Sequence, residues 1–324
     1  MDPLAALIAV LRPHAAVSKP ITGRGDWGVR YAAYGMPGFA LVLEGQCWLA
    51  LDGAGPVRLA RGDFVLLPET PGFALTSRPG APCRAVAPSD QPVRHGDPAG
   101  APDVALLGGS FQVERANAPL LLSLLPAMIH LRAAGNDTAG NGADKEDTAT
   151  EDTGRLTRIL ALIRDEGAAE RPGRELVLAR LLEVMLVEAL RHQPVAGRDH
   201  AGLLAGLRDP AIARALSGIH GDVRAPWTVA ALAGRARMSR SAFAARFTQL
   251  VGCGPIAYLA HWRMALAKDR LSRGGAPLDR IAAEIGYDSA SAFSTAFRRH
   301  VGCAPGGFAR ACRPAAYDPG PVPV

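Results

Sequence analysis

In the first third of the chain, apolar residues come in short runs broken by Gly and Pro. Phe39–Leu43, Cys47–Leu51 and Phe64–Leu67 are examples, with Asp52-Gly53-Ala54-Gly55-Pro56 and Arg61-Gly62-Asp63 as turns between them. Runs of this length with such punctuation predict short strands. Their regular spacing from Ser18 to Leu107 predicts a small sandwich or barrel. The pattern then changes. Pro119–Pro126 is Leu-rich and predicts a helix. Ala133–Gly154 lacks any large apolar residue, so it cannot offset its ordering entropy and is expected to be a disordered loop. Leu156–Glu166 and Arg174–His192 are helical in period. In the second, Leu178, Leu181, Leu182, Met185, Leu186 and Ala189 form one stripe, read as core or as a dimer contact.

From Gly206 onward the chain repeats itself at an offset of fifty residues. Ser239-Arg-Ser-Ala-Phe243-Ala-Ala-Arg-Phe247 lies on Ser289-Ala-Ser-Ala-Phe293-Ser-Thr-Ala-Phe297, and Val251-Gly252-Cys253-Gly-Pro255 on Val301-Gly302-Cys303-Ala-Pro305. Each copy predicts helix, tight turn, helix. Thr228 caps the first helix of the first copy, with Trp227 and Leu232 as a hydrophobic staple, and Ser239 caps the second. Leu278–Ile285, Gly286-Tyr287 and Ser289 play the same parts in the second copy. Pro255 opens a connecting helix that runs to Leu271. Two capped helices on one rigid connector can enter successive major grooves, about 34 Å apart on one face of a duplex.

These residues carry a resemblance. Ile281-Ala-x-x-Ile285-Gly286-Tyr287, Ser291-x-Phe293-x-x-x-Phe297-Arg298 and Gly302-x-x-Pro305-x-x-Phe308 resemble the signature of the AraC/XylS family of transcription regulators, over about Asp209–Arg310. The chain departs from that pattern at Phe308, where the family has Tyr, and at Ala309, where Arg is common. The resemblance implies base contacts from Ser241, Ala244 and Ala245 in the first copy and Ser291, Ser294 and Thr295 in the second. A cap or a solvated surface position is the alternative for each of these serines. Arg240, Arg246, Arg298 and Arg299 stand at the edges, where phosphates would lie. No Arg, Asn or Gln occupies the six inner positions, so methyl contacts, DNA shape and Arg240 are expected to carry specificity.

Charge agrees with this division. Between Gly206 and Arg313, fifteen Arg and one Lys stand against five Asp and one Glu, a net +10. The whole chain carries +6, so the remainder is at −4. A basic module on an acidic chain suits a polyanion as partner of that module alone. No run of eighteen apolar residues occurs, and the start, with Asp2 and no basic lead, reads as a short amphipathic helix and not a signal peptide. Five scattered cysteines suit reduced thiols in the cytoplasm.

Leu59–Pro68 resembles the hairpin signature of cupin barrels, and similar cupin-like domains precede the DNA module in one branch of the same family. Cupin metal sites need a close histidine cluster. The first 131 residues hold only His14, His95 and His130, so no metal, cofactor or catalytic residue is expected. A small effector in the barrel interior is the expectation, with Arg30, Tyr31, Tyr34, Glu44 and Trp48 as candidate contacts. Two other readings stay open: a redox-responsive regulator using Cys47 or Cys83, and a cupin enzyme fused to a DNA module. The expected architecture is α+β and multidomain. A cupin-like barrel over 1–131 precedes a disordered loop over 132–154 and a helical, dimerising linker over 155–205. A double helix-turn-helix domain over 206–313 and a disordered tail over 314–324 follow. The expected activity is bacterial-type, sequence-specific transcription regulation, with double-stranded DNA, RNA polymerase, the effector and a second copy of the chain as partners.

Overall fold

Side-chain alternation along the strands builds the first of two units. A computed structural model describes residues 2–113, 122, 125–133, 149–168, 171–191 and 202–312. The chain divides into one unit of Arg12–Val113 with Leu125–Asp199, and another of Met1–Leu11, Glu114–Leu124 and His200–Val324. In the first unit lie β1 (His14–Arg24), β2 (Gly28–Tyr31), β3 (Gly38–Glu44), β4 (Gln46–Leu51), β5 (Val57–Ala60) and β6 (Phe64–Leu67). They are followed by β7 (Phe73–Thr76), β8 (Arg84–Val86), β9 (Val93–Gly96), β10 (Val104–Gln112) and β11 (Ile129–Leu131).

These strands make two sheets, ordered β11-β6-β3-β10-β1-β9 and β5-β4-β7-β2-β8. The pairs are antiparallel except β1 with β9 and β2 with β8. The core lies between the sheets. Ile21, Val42, Val65 and Leu106 come from one side, and Val29, Tyr31, Leu49, Leu59 and Leu75 from the other. Burying a side chain of this size stabilises by about 1.5–3 kcal/mol, which is what pins strand register. Phe39, Phe64 and Phe111 stack on the opposite face of the larger sheet, with Phe39 and Phe111 centroids 5.0 Å apart.

The Arg61-Gly62-Asp63 turn is tied down on both sides. Gly62 has φ of +86°, and a Cβ there would stand 2.7 Å from Ala133 Cβ. The Asp63 carboxylate accepts from the backbone N–H of Ala60 and Ala133 and pairs with His130 at 3.0 Å. Burial works to raise its pKa, but these hydrogen bonds outweigh it and hold the carboxyl low.

Among the described residues, α2 (Ala149–Ala168) and α3 (Arg174–Arg191) complete this unit, and α3 packs on β1 and β11. Helix α2 begins at Ala149, seven residues before the expected start at Leu156, so 149–154 is helical and not a disordered loop. Once buried Ile159 and Ile163 anchor a helix, extending it by a turn costs little. Residues 134–148 of that expected loop, the tail from 313 on and most of the Leu-rich Pro119–Pro126 segment lie outside the described residues. Of the α3 stripe, Leu178, Leu182, Met185, Leu186 and Ala189 are buried within the unit and Leu181 is half-buried, so the stripe is core. Its dimer reading is thereby corrected. Buried Glu188 ties the two helices together by pairing with Arg155 of α2 at 3.2 Å and with Arg191 at 3.0 Å.

The second unit is helical. It holds α1 (Pro3–Leu11), α4 (Leu203–Arg208), α5 (Pro210–Gly221), α6 (Val229–Ala236), α7 (Arg240–Val251), α8 (Pro255–Arg273), α9 (Leu278–Glu284), α10 (Ala290–Val301) and α11 (Pro305–Cys312). The sequence grouped the first helix with the barrel. In the structure, α1 lies against α5 and α8 instead, because Leu4, Leu7, Val10 and Leu11 find an apolar surface there. Its amphipathic period was legible, but its docking partner, some two hundred residues away, was not.

Candidate nucleic-acid interface

Each repeat closes on a pair of phenylalanines. In the first, Phe243 and Phe247 are fully buried with ring centroids 5.6 Å apart, and Tyr258 of α8 meets Phe247 edge-on at 5.9 Å. In the second, Phe293 and Phe297 repeat the 5.6 Å pair, against Met264, Leu271, Ile281 and Ile285. Phenylalanines four apart occupy one stripe of a helix, so the opposite stripe is left to solvent. Phe308, the departure from the family's Tyr, packs on Phe297 at 5.5 Å, so the ring is kept in the second-repeat core.

Helix starts are set as expected. Ser239 Oγ accepts from Ala242 N at 3.3 Å, Ser289 Oγ from Ala292 N at 3.1 Å and Thr228 Oγ1 from Ala231 N at 3.1 Å. Such caps are worth about 1 kcal/mol each. Trp227, one half of the expected staple, is fixed by two further contacts. Its indole N–H donates to Asp222 O at 2.7 Å and its face carries the Arg235 guanidinium at 5.6 Å.

The two turns, however, are not copies. In the first, Arg237 itself adopts the left-handed conformation, with φ of +56°, one residue before Met238 and the Ser239 cap. In the second, Gly286 does so at φ of +83°, with Tyr287 and Asp288 between it and Ser289. A Cβ on Gly286 would meet Arg224 Cα at 2.8 Å, so this glycine is required by space as well as by conformation.

Ser241, Ala245, Ser291, Thr295, Arg240, Arg298 and Arg299 are exposed, while Ala244 and Ser294 are half-buried on the same faces. The structure therefore brings the candidate residues of each repeat onto one helix face. Thr295 is exposed, and its Oγ1 donates to Ser291 O at 3.1 Å, so its hydroxyl proton is committed to the backbone and an apolar contact suits it better than a polar one. Arg246 differs from the other arginines. Its Nε donates to Asp209 at 2.7 Å, and Asp209 in turn caps α5 through the N–H of Ala211 and Ile212. The guanidinium thus braces the first recognition helix against α5. Two exposed positions escaped the sequence reading: Gln249 on the last turn of α7, and Arg237, whose backbone conformation turns its side chain out at the front of that helix. Gln249 was legible as an exposed amide at recognition-helix spacing. Nothing in the sequence marks Arg237 as left-handed.

The effector candidates do not converge. Strand alternation sends Tyr31 into the core, stacked on Phe73 at 4.9 Å, and Arg30 to the other face, paired with Asp52. Trp48 shares Arg30's face, since its neighbours Cys47 and Leu49 point inward, and Glu44 is exposed at the end of β3. Tyr34 is about one-third exposed, beside Thr70. Expecting Arg30, Glu44 and Trp48 in the interior is therefore corrected: the space between the sheets is filled by aliphatic side chains together with Trp27, Tyr31 and Phe73. Burial pushes the Cys47 thiol up to about 12, out of reach of a reactive thiolate, while Cys83 is exposed. Among the described residues no three His, Cys, Asp or Glu side chains gather as a metal site. No helix among them is long and apolar enough to cross a membrane.

A two-sheet domain followed by two helix-turn-helix units on one connector defines a DNA-binding transcription regulator. Two family models match, one described as cupin over residues 2–193 and one as helix-turn-helix domain over 232–311. The chain belongs to the AraC-like transcription regulators. It is 37% identical to an AraC-like transcription regulator of Streptomyces lividans, over 95% of this chain and 98% of that one. It is 36% identical to another of Streptomyces antibioticus, over 95% and 98%. A crystal structure of the DNA-binding domain of AdpA with a target DNA is 31% identical over 32% of this chain and 92% of that one, with a TM-score of 0.30.

Proposed function

We propose that the chain reads duplex DNA chiefly through α7, with Arg240, Ser241, Ala245 and Gln249 facing the bases or their edges. Helix α10 grips through Arg298 and Arg299 and makes methyl contacts through Thr295. The observation that carries this is the contrast between the two exposed faces: α7 offers a long donor at its front and an amide at its back. The front of α10 offers only Ala, Ser and Thr. DNA selected from a random pool by the full-length chain tests it. The expected consensus has one well-defined half, whose definition Arg240→Ala erodes, and one A/T-leaning half set by shape and thymine methyls.

We further propose a non-catalytic, cytoplasmic, effector-responsive role, with the two-sheet unit acting on the DNA-binding unit and on RNA polymerase. A homodimer would form through Leu176, Val177 and Val184, which α3 leaves exposed. Val184→Glu is then expected to convert a dimer to a monomer in analytical ultracentrifugation, without lowering thermal stability.

A further inference from the structure

A cleft of about 550 Å³ opens within the DNA-binding unit, between α1, the end of α5, α8 and α9. One wall is apolar and comes from Ala6 and Val10 of α1 with Trp262 and Leu266 of α8. His220 lines the other side. It is 6% exposed, lies 4.3 Å from the Trp262 ring and shares a 2.8 Å hydrogen bond between its Nε2 and the Tyr258 hydroxyl. Its Nδ1 is buried and has no hydrogen-bond partner among the described residues. A buried polar atom left in that state is costly, and a bound group that satisfies it recovers the loss.

The charged residues of the cleft are unevenly engaged. Asp269 pairs with Arg273 at 2.7 Å, and Glu284 with Arg270 and Arg280 at 3.0 and 3.1 Å, although Glu284 Oε2 accepts no hydrogen bond among the described residues. Arg224 meets Asp222 only at 3.8 Å. Burial keeps His220 neutral near pH 7, so an acidic group in the cleft would answer Arg224 and its neighbours, and the imidazole would serve as a hydrogen-bonding partner.

We propose that this cleft is a ligand site for a flat, largely apolar organic acid. Its rings would lie against Ala9, Val10 and Leu266, the acidic group would sit at Arg224, and a small opening of the cleft would bring a polar atom to His220 Nδ1. Sites of this kind are concave, mostly apolar and oriented by a few polar groups. The walls matter for regulation. Trp262 and Leu266 belong to the connector between the repeats, Arg224 precedes the first repeat and Glu284 ends the first helix of the second. A ligand there touches the elements that set one recognition helix against the other. The proposal rests on the reading of the chain as effector-responsive, and moves the effector from the two-sheet unit to the DNA-binding one.

The test uses the full chain and 8-anilinonaphthalene-1-sulfonate, an aromatic acid of suitable size, followed by fluorescence and calorimetry. One saturable site per chain is expected. Ala9 is exposed at the rim, so Ala9→Trp should fill the cleft, weakening binding at least about tenfold with an unchanged melting temperature. Arg224→Gln should weaken it roughly fivefold. N-phenyl-1-naphthylamine, with the same rings but no sulfonate, should bind at least about tenfold more weakly than the acid. Absence of a saturable site, or unchanged binding to Ala9→Trp, overturns the site. Equal binding of the neutral probe overturns the assignment to an acid. Operator binding is measured separately, so failure of the cleft and failure of the DNA-binding reading give different results.

Discussion

Arg263 and Tyr287 join the two halves of the DNA-binding unit. The Arg263 guanidinium, on the connector α8, donates to Val223 O at 2.8 and 3.1 Å and to Ala225 O at 3.2 Å, just ahead of the first repeat. The same group lies 5.6 Å from the centre of the Tyr287 ring, in the turn of the second repeat. One cation therefore holds the entry of one helix-turn-helix and the turn of the other at a fixed spacing. Lysine could not do this, because a point charge lacks the planar fork that serves two carbonyls and a ring face at once.

Replacing Arg263 by Ala should lower stability by about 2 kcal/mol, from the lost charge-assisted hydrogen bonds and ring contact. Affinity for a site spanning two major grooves should fall more than stability alone accounts for, since the spacing of the recognition helices is no longer held. Thermal unfolding and DNA titration of Arg263→Ala and Arg263→Lys check this. Both variants retaining full affinity would remove the proposed role.

Gly286 and Gly302 both have positive φ, +83° and +86°, yet substitution should separate them. At Gly302 a Cβ meets nothing within 4 Å, so Ala should cost only about 1–2 kcal/mol of backbone strain. At Gly286 it collides with the Arg224 backbone as well. Gly286→Ala should therefore lower the melting temperature clearly more than Gly302→Ala, and equal losses would contradict the close approach.

Arg240→Ala and Phe243→Ala should fail in different ways. Arg240 is exposed, so its loss should leave melting unchanged and cost about 1–3 kcal/mol in DNA binding if it meets a base. Phe243 is fully buried, and truncating it should cost about 3–5 kcal/mol of folding stability. Unfolding caused by Arg240→Ala, with Phe243→Ala intact, would reverse the assignment of faces.

Acid should destabilise the DNA-binding unit through His220. Burial depresses its pKa from 6.5 to about 3 in the folded chain, while the unfolded chain keeps the ordinary value. The folded state thus binds fewer protons in this window. Its stability is complete above pH 6.5 and declines as pH falls toward 3, by about 1.4 kcal/mol per pH unit. Melting curves from pH 7.5 to 4.5 should show this slope, and His220→Gln should flatten it.

Much of this protein was determined by its sequence alone. The fifty-residue offset placed both recognition helices, and Ser239, Ser289 and the Phe pairs named their caps and their inward faces. Those features are local, so a helix period and a cap motif suffice to read them. The Arg61-Gly62-Asp63 turn and the strands around it were legible for the same reason. Tertiary structure alone decided what depends on distant partners. It set α1 against α5 and α8, gave Arg246 to Asp209, and buried the α3 stripe within the unit. It also turned Tyr31 inward and Arg30 outward, although the two are neighbours in sequence. A side chain's partner is chosen by the packing of whole elements, and a one-residue change of strand face reverses which side chains a ligand could meet.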